Sequence, residues 1–252
     1  MINLINLLKE ITASPKAIFL AGPAGSGKST IAKQIIPNSF ITLNVDDTYE
    51  ELLKSSGIGM NQKDFTPDEL SKAAKLMGQA RNISKGKYET SIKNLNNIVI
   101  DGTGGASTPL LKKKEELEKL GYKTFMVALY VSPITSLERN KNRNRSLLPS
   151  IVLRTWRDVN SSLDIYKSEF GENFILINND PTDAKTDFNF DEIKKLYIDT
   201  AKATGKPKTP EQLAKSISEK EKINSDIQDL IGLEREFDSV DLAKKKITRF
   251  TS

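Results

Sequence analysis

The clearest chemical signal in the sequence lies at residues 22–29, which read Gly-Pro-Ala-Gly-Ser-Gly-Lys-Ser. The segment matches G-x-x-x-x-G-K-[ST], a pattern whose glycines let successive backbone N–H groups form an anion-binding nest at a helix N-terminus. The lysine reaches the β- and γ-phosphates of a nucleotide, and the last hydroxyl is a ligand for Mg²⁺. The segment therefore predicts binding of a nucleoside triphosphate, expected to be ATP, with Mg²⁺. The expected nucleotide contacts are Gly22, Ala24, Gly25, Ser26, Gly27, Lys28, Ser29 and Thr30, and Ser29 is also an expected metal ligand.

Two adjacent carboxylates, Asp46 and Asp47, end the second predicted strand. A parallel strand that follows the phosphate-loop helix brings its carboxyl end beside the γ-phosphate. The chain has no histidine and no cysteine, so a general base must be a carboxylate or, failing that, lysine or tyrosine. Asp46 is predicted to activate an acceptor hydroxyl, and Asp47 to cap a helix that begins at Thr48 or to support the site. The reverse assignment of the two aspartates stays open.

A third carboxylate, Asp101, ends the next predicted strand, and the residues after it read Gly-Thr-Gly-Gly. Ligands of open α/β sheets bind at the carboxyl ends of the strands, so Asp101 is expected to hold Mg²⁺ through water. The glycines suit a loop that closes over an acceptor. Motor and switch proteins with a phosphate loop usually carry a glutamate directly after such an aspartate. Because Gly102 stands there, the sequence argues against an efficient ATPase.

Basic residues are concentrated in one stretch of the chain. There are 38 Lys and Arg against 33 Asp and Glu, which gives a net charge of +5. Residues 139–157 hold six basic residues and no acidic one. Arg139, Arg143 and Arg145 are spaced to fold over a triphosphate and neutralise charge during phosphoryl transfer, as a mobile lid would. The local cluster indicates an anionic ligand at one place and not a nucleic-acid coat over the whole surface.

Composition excludes several other classes. The 252 residues are 37% apolar and 28% charged, which is ordinary for a globular protein. The absence of cysteine excludes disulfides, thiolate catalysis and iron–sulfur clusters. No apolar run is long enough to span a membrane, and no secretory signal is recognised. A cytoplasmic protein is therefore expected. The abundance of Asn, Lys and Ile is typical of an AT-rich genome, such as a phage, whose proteins would lie in the host cytoplasm.

Strands and helices alternate along the first 180 residues. Short apolar runs predict strands at 16–21, 40–45, 97–101, 123–131 and 173–178. Helical patterns lie between them, including one continuous helix at 149–166. The alternation predicts the P-loop NTPase fold: an α/β architecture with a five-stranded, mostly parallel sheet and helices on both faces. Further helices are predicted at 2–11, 188–203 and 210–231, whereas the last twenty residues are charged and weakly patterned.

These features together resemble the kinase domain of phage-type polynucleotide 5′-hydroxyl kinases and, more distantly, the zeta-toxin-like small-molecule kinases. The resemblance covers about residues 16–166 and is carried by the phosphate loop, Asn-Val-Asp-Asp at 44–47, Asp-Gly-Thr at 101–103, and Glu-Arg-Asn at 138–140. It implies a phosphotransferase that passes the γ-phosphoryl group of ATP to an alcohol. The roles it implies are base for Asp46, phosphate binding for Lys28, lid for Arg139 and Arg143, and acceptor side for Asp47, Asp101 and Thr103.

The acceptor is left open by the sequence. The polynucleotide kinases carry an arginine shortly after their Asp-Asp pair, and this chain has Thr48, Tyr49 and Glu50 there. The first expectation is a polynucleotide 5′-hydroxyl or a hydroxymethylpyrimidine in DNA, and the alternative is a nucleoside, nucleotide or sugar nucleotide. A different class, a nucleotide-switched interaction protein, would move its C-terminal helices against a protein partner. The expected division is a kinase domain at 1–180 and a helical extension at 181–252.

Overall fold

The computed structural model describes residues 14–60, 65–143, 146–181 and 210–252. The helices predicted at 2–11 and 188–203, and Arg145 of the basic stretch, lie outside these residues. None of the helices in the described ranges is long and apolar enough to cross a membrane.

The centre of the fold is a five-stranded sheet in which every neighbouring pair is parallel. The strand order is β2-β3-β1-β4-β5. Because all strands run the same way, their carboxyl ends meet at one edge, where the phosphate loop and both acidic segments emerge. The predicted α/β fold is thereby confirmed. The strands are β1 Lys16–Ala21, β2 Ile41–Leu43, β3 Ile98–Asp101, β4 Lys123–Tyr130 and β5 Phe174–Asn178.

Helices cover both faces of this sheet. One prediction about them was wrong: the helix predicted at 149–166 is two helices, because the chain turns at Ser161 and Ser162. The C-terminal part is helical, as predicted. Its weakly patterned last residues also form a helix, whose apolar residues Ala243, Ile247 and Phe250 recur at helical spacing. The helices are α1 Lys28–Ile35, α2 Val45–Ser55, α3 Pro67–Lys93, α4 Ser107–Lys119, α5 Pro133–Lys141, α6 Pro149–Asn160, α7 Leu163–Phe170, α8 Pro210–Ile231 and α9 Val240–Thr251.

The core has one layer on each side of the sheet. On one face, side chains from α4, α6 and α7 such as Leu117, Val159 and Tyr166 pack against the strands. On the other face, α1 contributes Ile31 and Ile35, and α9 contributes Ala243 and Ile247. Burial of apolar surface on both faces holds the sheet rigid and fixes the edge from which the loops project.

Helices α2 and α3 form a small unit beside the carboxyl edge of the sheet. Tyr49 and Leu53 of α2 pack against Ala73 and Ala80 of α3. The unit carries Asp46 and Asp47 in its first turn. Its packing therefore sets where those carboxylates lie relative to the phosphate loop.

The C-terminal helices pack on the domain that precedes them. Ile227 of α8 is buried with Leu153 and Trp156 of α6, and Asp226 lies 3.4 Å from Arg157. In the segment between α8 and α9, the Asp238 N–H donates to the Leu176 carbonyl over 2.7 Å. The Asp238 carboxylate accepts from the Leu176 N–H over 3.1 Å, so this segment covers part of the edge strand β5. The boundary at residue 180 stays a prediction.

Candidate active site

The phosphate loop joins β1 to α1 in a conformation that requires glycine. Gly25 has φ of 77° and Gly27 of 81°, in the left-handed region that side chains disfavour. A Cβ on Gly25 would lie 2.8 Å from the Ser136 carbonyl oxygen, and one on Gly27 would lie 2.4 Å from the Asn179 amide nitrogen. The Ser26 hydroxyl is buried without a hydrogen-bond partner among the described residues. The loop is thus packed from behind and presents its backbone at the N-terminus of α1.

Lys28, the first residue of α1, turns its ammonium group back over this loop. Its Nζ donates to the Gly22 carbonyl over 2.6 Å and to the Pro23 carbonyl over 3.4 Å. Burial lowers the pKa of Lys28, and the nearby Asp101 and Asp46 carboxylates partly oppose that effect. A desolvated ammonium among loop carbonyls is well placed to bind phosphate oxygens, which would satisfy its charge.

A cavity of about 250 Å³ lies on the loop and is lined by residues 23–30 together with Arg139 and Arg143. The Arg139 guanidinium donates through one nitrogen to the Gly25 carbonyl over 3.2 Å and through another to the Asn179 carbonyl over 2.8 Å. Arg139 lies within α5, where these two contacts fix it. Arg143 follows the end of that helix and is exposed. The structure therefore brings both predicted lid arginines to the phosphate loop.

The predicted cap of the helix that carries the acidic pair was wrong. Helix α2 begins at Val45 and not at Thr48, and its N-cap is Asn44, whose side chain accepts from the Asp46 N–H over 2.7 Å. Asn44 has extended backbone and an acceptor oxygen, which is all that a cap requires. Asp46 and Asp47 therefore both lie in the first helical turn, where the helix dipole favours negative charge.

Asp101 ends β3 beside this turn. Its Oδ2 atom accepts from the Asn44 amide over 2.8 Å. Burial raises the pKa of Asp101; the Lys28 ammonium opposes the rise, and Asp47 and Asp46 add to it. The pKa of Asp47 is also raised, first by burial and then by Glu50, Asp46 and Glu51, while Lys33 acts in the opposite direction. Carboxylates thus crowd the side of the loop that faces β2 and β3.

A second cavity of about 310 Å³ adjoins the loop, and Ser29, Asp47 and Asp101 are among the residues that line it. The described residues contain no cluster of three acidic, histidine or cysteine side chains placed to hold a metal. Mg²⁺ beside a nucleotide needs no such cluster, because it takes one or two protein oxygens together with phosphates and water. The Ser29 hydroxyl and the Asp101 carboxylate are of the right chemistry for that arrangement.

The loop after β3 is tied to the phosphate loop. The Gly22 N–H donates to the Thr103 carbonyl over 2.9 Å, and the Tyr166 hydroxyl donates to the Gly104 carbonyl over 2.7 Å. Gly104 has φ of 68°, and a Cβ there would lie 2.5 Å from the Ala21 Cβ. The side chain of Thr103 is exposed at this edge. The acceptor-side role of Thr103 stays a prediction.

Sequence reasoning missed three residues that build the site. Asn179, directly after β5, donates from its side chain to the Ser26 carbonyl over 2.8 Å and accepts Arg139 on its own carbonyl. The Ser136 hydroxyl of α5 donates to the Ala24 carbonyl. Asn44 caps α2. A polar residue after a predicted strand was a usable signal for Asn179, whereas Asn44 lay inside the strand predicted at 40–45 and nothing in the sequence distinguishes Ser136.

Comparison with protein families gives one match: the model of the zeta toxin family matches residues 5–170. Of the two kinase groups that the sequence resembled, the match is to the second. No curated protein sequence matches the chain.

Solved structures with a related fold include two AvrRxo1-ORF1:AvrRxo1-ORF2 complexes. The one solved with ATP is 13% identical, with a TM-score of 0.53, and the match covers 97% of this chain and 83% of that one. The one solved with sulphate ions is 15% identical, with a TM-score of 0.53 and coverage of 92% and 84%. A structure from the PezAT chromosomal toxin-antitoxin system of Streptococcus pneumoniae is 16% identical, with a TM-score of 0.42 and coverage of 91% and 95%. At these identities the likeness to the two AvrRxo1 complexes supports the fold alone.

Proposed function

The chain belongs to the zeta toxin family of ATP-dependent P-loop kinases, and from this premise we propose that it phosphorylates a hydroxyl group of a sugar nucleotide. Sugar nucleotides are the acceptors that zeta toxins phosphorylate. The observation that carries the proposal is geometric: Asn44 links Asp101 to the helical turn that holds Asp46, and Asp101 lines a cavity together with Ser29 of the phosphate loop. An acceptor hydroxyl between these carboxylates and the loop would face the γ-phosphate.

The proposed transfer assigns a task to each charged group. Asp46 accepts the proton of the acceptor hydroxyl while the acceptor oxygen bonds to the γ-phosphorus, and the bond from that phosphorus to the bridging oxygen of ADP breaks. Lys28, Arg139 and Arg143 neutralise the charge of the transferring group. Asp46 is chosen over Asp47 because Asp46 acts electrostatically on Lys28, whereas Asp47 lines the cavity beside Lys33.

Mg²⁺ would be held by Ser29 and, through water, by Asp101. It would supply positive charge to the β- and γ-phosphates. The residue pair suits this task because a hydroxyl and one carboxylate line the same cavity next to the loop.

The charge around the base supports a sugar nucleotide over a polynucleotide. Four carboxylates, Asp46, Asp47, Glu50 and Glu51, lie in the first two turns of α2, and Asp101 lies beside them. A polynucleotide would bring a chain of phosphates past this acidic surface, which costs electrostatic energy. A hydroxyl on a sugar ring can enter the site while the diphosphate of the same molecule stays several atoms away. The cationic side chains that neutralise phosphate are on the nucleotide side of the loop.

The proposal is tested by incubating the protein with γ-labelled ATP and a panel of acceptors. The panel holds UDP-N-acetylglucosamine, other sugar nucleotides, nucleosides, nucleotides, 5′-hydroxyl DNA and RNA, and DNA containing hydroxymethylpyrimidines. We expect label on a sugar nucleotide and a loss of transfer on the order of 10³-fold in Asp46→Asn, with ATP binding unchanged. Asp68→Asn, which removes an exposed carboxylate from the first turn of α3, is the matched control and should retain full activity.

Each other result has a defined meaning. Label on 5′-hydroxyl or hydroxymethylated DNA would replace the sugar nucleotide with a polynucleotide acceptor. Full transfer by Asp46→Asn would remove Asp46 from the role of base. Tight ATP binding with no labelled acceptor would contradict the proposed transfer and favour a nucleotide-switched interaction protein.

A further inference from the structure

The side chain of Asn44 joins the two acidic segments of the site. We propose that Asn44 is a positioning residue for phosphoryl transfer, which holds Asp46 and Asp101 in a fixed relation to each other. The inference rests on the proposed function, because it assigns these aspartates to the base and to the acceptor and metal side.

Both ends of one amide group are used. Asn44 Oδ1 accepts from the Asp46 N–H over 2.7 Å, and Asn44 Nδ2 donates to Asp101 Oδ2 over 2.8 Å. The orientation of the amide follows from its partners, because a backbone N–H only donates and a carboxylate only accepts. The same side chain therefore starts α2 and fixes one oxygen of Asp101.

The surroundings keep this amide in place. The Asn44 backbone is extended, with φ of −132° and ψ of 124°, and its carbonyl accepts from the Thr48 hydroxyl over 3.3 Å. Asp101 is fixed from the other side by β3, which pairs with both β1 and β2. A rotation of α2 relative to β3 would break one of the two amide contacts. The amide therefore fixes the position of Asp46 relative to the end of β3.

A helix cap alone does not explain asparagine here. Aspartate and serine cap helices about as well as asparagine, and aspartate would also favour the helix dipole. Neither aspartate nor serine has a side chain that is long enough and also carries both a donor and an acceptor, so neither can donate to Asp101 and accept from the Asp46 N–H at the same time. Aspartate would instead place a carboxylate against Asp101. The additional requirement is the donor to Asp101, and that contact is what the experiment removes.

The first measurement is kinetic and uses Asn44→Ser, which retains a capping hydroxyl and loses the amide donor. The acceptor is the one that wild-type protein labels best. We expect kcat to fall on the order of 10-fold through misplacement of the reacting groups, with KM for ATP unchanged, because the phosphate loop is not altered. Ser239→Ala, which removes the N-cap of the remote helix α9, controls for a loss of capping and should leave kcat unchanged. A wild-type kcat in Asn44→Ser would overturn the inference.

The second measurement does not depend on activity. It is a double-mutant cycle of urea unfolding with Asn44→Ser, Asp101→Ala and the double variant, which isolates the interaction between the two side chains. We expect Asn44→Ser to destabilise wild-type protein more than it destabilises Asp101→Ala, because only wild-type protein has the carboxylate that accepts from the Asn44 amide. Equal effects of Asn44→Ser in both backgrounds would overturn the inference.

The two readouts separate the two hypotheses. Wild-type protein that labels no acceptor contradicts the proposed function, and the double-mutant cycle of unfolding then still decides whether Asn44 holds Asp101. An active wild type with a fully active Asn44→Ser contradicts only the role of Asn44.

Discussion

At the scale of single residues, the site contains charged groups that the fold partly removes from water. The Lys28 ammonium and the Asp101 carboxylate are both partly buried, and burial is the largest influence on the pKa of each. Asp47, although more exposed, has other carboxylates as neighbours, which also raise its pKa. Such an arrangement costs folding free energy, and it is typical of a site whose charges are completed by a ligand.

The free energy that is lost by burying the charged Asp101 carboxylate predicts the effect of Asp101→Asn on stability. The pKa of Asp101 is raised in the folded protein, so the folded state binds its proton more tightly than the unfolded chain, and stability falls as pH rises between the unfolded and folded pKa values. Above that window the charged carboxylate destabilises the fold. Asp101→Asn should therefore raise Tm at pH 8, by roughly 2–4 °C if the effect is about 1 kcal/mol, while kinase activity falls.

The check is a thermal melt of both proteins at pH 8 and at a series of lower pH values that reaches the ordinary range of a carboxyl group, about pH 4. The difference in Tm should shrink as pH is lowered, because protonated Asp101 resembles asparagine. A variant that is less stable than wild type at pH 8 would contradict this reading of Asp101.

At the scale of elements, the glycines differ in how much space their surroundings leave for a Cβ atom. Gly104→Ala adds a Cβ 2.5 Å from the Ala21 Cβ at a φ of 68°, so we expect destabilisation of about 1–3 kcal/mol and weaker transfer, since this loop binds Gly22. Gly78→Ala, inside α3, adds a Cβ with no heavy atom within 4 Å, and helix propensity should stabilise it by about 0.5–1 kcal/mol. Urea unfolding of both variants tests the contrast, and equal effects would contradict it.

The sheet was predictable from sequence because four of its five strands are short, largely buried apolar runs between turn residues, whereas the edge strand β2 has Ile41 and Thr42 exposed. The phosphate loop was predictable because its chemistry fixes residue types at fixed spacing. The start of α2 was misjudged, since Asn44, Asp46 and Asp47 are all good N-cap residues and the sequence does not say which one is extended.

Contacts distant in sequence account for the other differences. The turn at Ser161 and Ser162 interrupts a pattern of apolar residues that continues from α6 into α7. The contact of Asn179 with Ser26 joins residues that are 153 positions apart in the sequence, so a local sequence pattern cannot predict it. The sequence predicted a helical C-terminal extension but gave no bounds for α9, because only one face of this highly charged segment is apolar and that face packs against the sheet.

At the scale of the whole molecule, α9 completes the core on the α1 face of the sheet. Ile247 is fully buried there, whereas Leu242 on the same helix is 42% exposed. Ile247→Ala should lower the free energy of unfolding by about 2–4 kcal/mol through loss of apolar contact and cavity formation. Leu242→Ala is the matched control and should change it by less than about 1 kcal/mol.

Chemical denaturation with kinetics at low temperature checks this prediction. The KM for ATP should be unchanged in both variants, because α9 does not line the cavity on the phosphate loop. A small effect of Ile247→Ala on stability would mean that α9 contributes little to the core.

The pairing of Asp238 with Leu176 also bears on solubility. A strand at the edge of a sheet presents N–H and C=O groups that can recruit the same strand from another molecule, and proteins must block this self-association. Asp238 occupies both backbone groups of Leu176 with one N–H and one carboxylate oxygen, and Lys246 pairs with the same carboxylate over 3.3 Å. The segment between α8 and α9 thereby blocks edge-to-edge pairing of β5 with another molecule. This role is separate from catalysis, and a truncation that removes the C-terminal helix together with this segment would remove it.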